Sequence, residues 1–227
     1  MARKSLVVYA SHTGNTEKIA LRFRKVFEEK GWECDCVKAV KNMTPVSFDG
    51  YDLVCVGSPV LAAVPAKEIG YVFMGGGDFS EDRPGGPPMT GSPPGGPPVQ
   101  GRPPFSLSWR QDPAKYKKGI VFVTYTGSRR GPAEAMPSLS LLELQMEDKG
   151  YRCIGKLACP GKHAGHIIES QKAKPAGPQE MRDWHWNQQS RPHERDLQKA
   201  ETFLAEILED YFLPDEAPPD SQYICIA

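Results

Sequence analysis

Ser11, His12, Thr13, Gly14, Asn15 and Thr16 follow one another without interruption, and together they carry the groups that hold a phosphate. Three hydroxyls and a carboxamide supply hydrogen-bond donors, and Gly14 lets a backbone amide come close to an anion. The stretch follows an apolar run at 4–10 and leads into a helical pattern, so its amides fall at a helix N-terminus, where free N–H groups and the helix dipole favour negative charge. It is neither a Gly-x-x-x-x-Gly-Lys-Ser/Thr loop nor a Gly-x-Gly-x-x-Gly turn, so ATP, GTP and NAD lose support here. The same residue types also make the turn and N-cap of any strand-to-helix junction. Other groups are weaker. His163, His166, His185 and His193 lie in polar sequence and are read as solvated, with no metal expected. Cys159, before Pro160, Gly161 and Lys162, has no second cysteine nearby and reads as a strand-end residue rather than a redox thiol.

The elements that must position these residues alternate. Short, nearly continuous aliphatic runs at 4–10, 52–57 and 119–124 read as parallel strands covered on both faces. The runs at 32–37 and 151–157 are mixed and read as edge strands. Helical spacing predicts helices over 17–30, 133–149 and 194–211, with a shorter one over 65–74, while 43–48 is too short to predict a helix and leaves that crossover irregular. With right-handed crossovers, edges at the second and fifth strands and centres at the others give an α/β fold: a doubly wound, five-stranded parallel sheet of order 2-1-3-4-5. The first βα turn then lies beside the point where strand order reverses, on the side where ligands bind.

Lys plus Arg and Asp plus Glu are 28 each, so no net field favours a nucleic acid. No apolar run approaches the ~20 residues of a membrane span, and the N-terminus does not read as a leader, so a cytoplasmic protein is expected. Six cysteines without a Cys-x-x-Cys pair read as reduced thiols. Gly and Pro number 22 each and concentrate at 75–117, where GGPPMTGSPP at 85–94 is followed by GGPPVQGRPP at 95–104. This is expected to be an extended, polyproline-like insert joined at the amino ends of the strands, able to reach a partner or to support self-association. A second long loop, 160–190, carries Trp184 and Trp186. The expected organisation is one domain over 1–213 carrying these two interruptions, then a C-terminal tail at 214–227.

Residues 7–21 resemble the flavodoxin signature: two aliphatics, an aromatic, a Ser-x-Thr-Gly-x-Thr loop, then Ala and an aliphatic in the helix. The resemblance covers 4–74 and 118–211, and includes Gly57-Ser58-Pro59-Val60, Thr124-Tyr125-Thr126-Gly127 and the run from Arg191 to Leu197 that opens the last helix. It implies FMN as cofactor, its phosphate held by residues 11–16. Ser58, Pro59, Val60 and Leu61, with Thr124, Tyr125, Thr126 and Gly127, would contact the ribityl chain and the ring. Tyr125 is the expected stacking partner, the alternative being a tyrosine packed only on the neighbouring helix. One departure stands out: 60–64 holds neither an aromatic residue nor a glycine, and Pro59 lacks an amide, so strong stabilisation of a one-electron-reduced flavin is not expected. The resemblance implies electron transfer between a reductase and a partner enzyme, with no catalytic residue required. Two alternatives are an FMN-dependent oxidoreductase acting on a quinone or similar acceptor, and an interaction protein working through its Pro-rich repeat.

Overall fold

The computed structural model describes residues 2–74, 116–126, 131–162, 191–212 and 222–226. The Pro-rich repeat, Gly127, His163, His166, His185, Trp184 and Trp186 lie outside these residues. In chain order the elements are β1 (Lys4–Tyr9), α1 (Asn15–Glu29), β2 (Glu33–Lys38), β3 (Leu53–Leu61), β4 (Val64–Pro65), α2 (Lys67–Met74), β5 (Lys117–Tyr125), a 3-10 turn (Gly131–Glu134), α3 (Met136–Asp148), β6 (Tyr151–Pro160), α4 (Glu194–Phe212) and β7 (Tyr223–Ile226).

The continuous aliphatic runs become central strands, as their composition requires: β1, β3 and β5 are buried over most of their length. The strand order is β2-β1-β3-β5-β6-β7, and every pairing along it is parallel. Leaving aside the two-residue β4, which pairs antiparallel with the end of β3, the first five strands reproduce the expected order. Each face of the sheet carries its own core. One holds α1 and α4, with Phe23, Phe27, Phe203 and Ile207 over Val7, Cys55 and Phe122. The other holds α2 and α3, with Ile69, Val72, Leu139 and Leu142 over Val8, Val56 and Val121.

α1 begins at the predicted turn and is closed just beyond its end by Gly31, whose φ of 77° lets Trp32 N–H reach back to the Phe27 carbonyl at 2.9 Å. The chain from β2 to β3 stays irregular, as expected. It is pinned by Phe48, whose ring lies 5.7 Å from both Phe73 and Tyr151 and whose carbonyl accepts the Tyr151 hydroxyl at 2.6 Å.

Two expectations are corrected at the far edge. β6 is not an edge strand and 214–227 is not wholly a tail, because residues 223–226 return beside β6 as a sixth parallel strand. The mixed residues of β6 are accommodated individually. Lys156 pairs with Glu143 of α3. Gly155 lets α4 approach so closely that a Cβ there would sit 2.5 Å from Ile207 Cδ1.

α2 ends and β5 begins at the amino ends of the strands, so the insert is rooted opposite the first βα turn. Among the described residues, no helix is long and apolar enough to cross a membrane.

Candidate phosphate and cofactor site

The chain leaves β1 at Tyr9 and enters α1 at Asn15 through Gly14, the N-cap, whose φ of 81° is the left-handed conformation that glycine adopts without strain. Apart from its chain neighbours, no atom of the described residues lies within 4 Å of where a Cβ would stand on Gly14, so the turn is open on that side. Lys18 N–H makes the first intrahelical bond, to the Gly14 carbonyl at 3.1 Å, and Glu17 N–H donates to Ser11 Oγ at 3.3 Å. The amides of Asn15 and Thr16 precede the first intrahelical bond and, among the described residues, remain for an outside acceptor. The loop is therefore a set of free donors at the positive end of a 15-residue helix.

The side chains divide the work differently from their sequence order. Thr16 Oγ1 lies 2.8 Å from Thr124 Oγ1, both buried, and so fastens the first turn of α1 to the end of β5. Asn15 is 4% exposed, and its Nδ2 donates to the Lys162 carbonyl at 2.9 Å, just beyond β6. Asn15 Oδ1 is enclosed and has no partner among the described residues. His12 turns toward α2, with Nε2 3.2 Å from Oε1 of Glu68.

Glu17, in the first turn, would repel an anion if its charge stood free. Instead Lys38 donates to its Oε2 at 3.0 Å and Tyr9 to its Oε1 at 2.9 Å, and these bonds hold the carboxyl below its usual range. Burial, then Glu17, pushes the Tyr9 phenol up, so it stays a donor.

On the other side of the switch point, β3 runs on into a hairpin. Val60 pairs with Pro65 and Leu61 with Val64, leaving Ala62 and Ala63 as a two-residue turn with φ of 50° and 69°. Positive φ at both central positions is a type I′ geometry that Asn-Gly normally fills, and a non-glycine residue there costs about 1–2 kcal/mol. Exchanging either alanine for glycine, Ala62→Gly or Ala63→Gly, should therefore raise the urea midpoint. The expected gain is about 0.5 kcal/mol each, once the extra freedom of glycine in the unfolded chain is deducted. A lowered midpoint for both would mean the turn is not strained.

Ser58 is buried and committed: Ala66 N–H donates to its hydroxyl at 2.8 Å, and the hydroxyl donates to the Pro59 carbonyl at 2.9 Å, closing the base of the hairpin. Val60 is half-buried, while Leu61 and Val64 are exposed at the tip.

Tyr125 departs furthest from its expected role. It is the last residue of β5, 3% exposed, and packs with Val123, Ala135 and Leu139 instead of standing free as a stacking face. Strand alternation is the cause, since Tyr125 shares a face with Val121 and Val123. Burial pushes its phenol up to about 12. Its carbonyl accepts Gly161 N–H at 2.7 Å.

Cys159 is buried, and burial pushes its thiol up, as suits a packed strand-end residue. Sequence reasoning passed over Gly161, Lys162 and Glu68. The first two follow the end of β6, on the side of the sheet where sites are built, and that position was the available signal. Beside them Arg191 pairs with buried Asp196, which also accepts His193 N–H at 3.0 Å as an N-terminal cap of α4. Lys162 N–H donates to the Arg191 carbonyl at 3.0 Å. Among the described residues, no His/Cys/Asp/Glu group could hold a metal ion.

No protein-family model matches the chain. Among solved structures, the chain is similar to oxidised flavodoxin 1 of Bacillus cereus at 13% identity and a TM-score of 0.55, covering 93% of this chain and 99% of that one. It is also similar to flavodoxin 2 of the same organism at 15% identity and a TM-score of 0.54, covering 92% and 99%. Likeness at this level of identity is likeness of fold, and the fold is flavodoxin-like.

Proposed function

We propose that the protein binds one FMN per chain and passes reducing equivalents between a reductase and an acceptor enzyme. The observation that carries this reading is the open, donor-rich turn at Gly14. It lies at the head of α1 beside the β1/β3 switch point and needs no cation to offer several N–H groups to a phosphate.

FMN suits the residues present at its phosphate end. The amides of Asn15 and Thr16 would hold the phosphate together with Thr13, in the open space beside Gly14. At the ring end the described walls are aliphatic Val60 and Leu61 on the hairpin and polar Thr126 after β5, and stacking by Tyr125 forms no part of this reading. The flavin supplies the redox chemistry when bound, while the chain binds it, orients it and limits water around it.

A second reading, an oxidoreductase that delivers electron pairs to a quinone or similar small acceptor, is favoured by the hairpin. Pro59 lacks an N–H, and neither turn residue is glycine, so a peptide cannot easily turn over to meet a changed flavin protonation state. Stepwise anaerobic reduction of the FMN complex tests the choice. A single two-electron transition with no long-wavelength absorbance supports the second reading, and a long-wavelength band at half reduction supports the shuttle. The Pro-rich insert, rooted at the opposite end of the sheet, is proposed to contact a partner or a second copy rather than the flavin.

A further inference from the structure

The side chain of Asn15 is clamped from outside its own helix. Its Nδ2 is held by the Lys162 carbonyl at 2.9 Å, and a Cβ built on Gly161 would stand 2.9 Å from that nitrogen and 3.3 Å from Asn15 Cβ and Cγ. The clamp is itself fixed. Gly161 N–H is bonded to the end of β5 at Tyr125, and Lys162 N–H to Arg191 at the entrance to α4. Asn15 cannot swing outward to make room, because it is buried and Thr16 beside it is tied to Thr124.

We infer that Gly161 and Lys162 are positioning residues for phosphate recognition. The end of β6 seats Asn15, and through it the free amides of the first turn of α1, and only glycine at 161 leaves space for that seat. The inference rests on the FMN reading and adds to it a residue remote in sequence from the phosphate loop. The backbone of Gly161 is not in the left-handed region, so a methyl group there acts through the contact with Asn15 alone.

The test is a double-mutant cycle on the full chain, with dissociation constants for FMN and riboflavin read from flavin fluorescence. Gly161→Ala should weaken FMN by about tenfold, the worth of one misaligned charge-assisted hydrogen bond. It should shift riboflavin, which lacks the phosphate, by less than about twofold, a ratio well under one such bond. With Asn15→Ala already in place the added methyl has nothing to meet, so Gly161→Ala should then change FMN binding by less than about twofold. If the single variant fails to fold, the double variant decides: a folded double variant supports the contact, and an unfolded one overturns it. Equal loss of FMN and riboflavin, or the same loss in the Asn15→Ala background, also overturns it. Wild-type protein that binds no FMN would overturn the FMN reading and this inference with it. Wild-type protein that binds FMN as tightly as Gly161→Ala does overturns this inference alone.

Discussion

Thr13→Asp should raise the dissociation constant for FMN by at least about a hundredfold, because a carboxylate about 4 Å from a phosphate costs several kcal/mol at the effective dielectric of a partly buried site. Thr13 lies in the turn directly before Gly14, half-buried, with the free amides of Asn15 and Thr16 just beyond it. The carboxylate would compete for those donors as well as repel the ligand. Riboflavin carries no phosphate and should bind within about threefold of wild type, a difference below one neutral hydrogen bond. Fluorescence titration with both flavins measures the contrast. A parallel loss of both would place the phosphate elsewhere.

The largest effect on stability is expected from Gly57→Ala. Gly57 of β3 pairs in register with Phe122 of β5, and the aromatic ring lies across it. A Cβ on Gly57 would fall 2.1 Å from Phe122 Cζ and 2.2 Å from Cε2. The ring cannot yield, since it sits 5.0 Å from Phe23 in the middle of the core shared with α1 and α4. Overpacking of this kind costs about 3 kcal/mol, at the upper end of its usual range. In a Phe122→Leu background the same methyl has room, so its cost should fall below about 1 kcal/mol. Urea unfolding of the four proteins measures the coupling, and an unchanged cost with Leu at 122 would contradict it.

The contrast between Gly57 and Tyr125 shows how far the sequence could be read. The three buried strands, the turn at Gly14 and the helix after it were legible because a continuous apolar run and a 3.6-residue period are strong local signals. The continuous apolar run ends at 124 and leaves Tyr125 in a loop, whereas the structure carries β5 one residue further. With the strand carried to 125, alternation from Val121 and Val123 turns the Tyr125 side chain inward.

β7 was not legible, because four residues ending a polar, Pro-containing segment carry no periodicity that separates a strand from a tail. For the same reason β6 looked like an edge. Its Lys156 is tolerated only through Glu143, and Gly155 only through the approach of α4, both long-range facts. The site shows the same division. Its donors are visible in residues 11–16, whereas the commitment of Ser58 to Ala66 depends on the hairpin that follows β3, and those of Thr16 to Thr124 and of Asn15 to Lys162 on how distant strand ends meet. Sequence patterning reports which groups are available, and tertiary contacts decide which remain free.

The measurement that bears most directly on the central claim is a calorimetric titration of the cofactor-free protein with FMN, repeated with riboflavin. The account predicts one FMN per chain and an affinity at least about tenfold above that for riboflavin, since the phosphate adds charge-assisted bonds to the amides after Gly14. Equal affinities for the two flavins, or no binding of FMN, would contradict it.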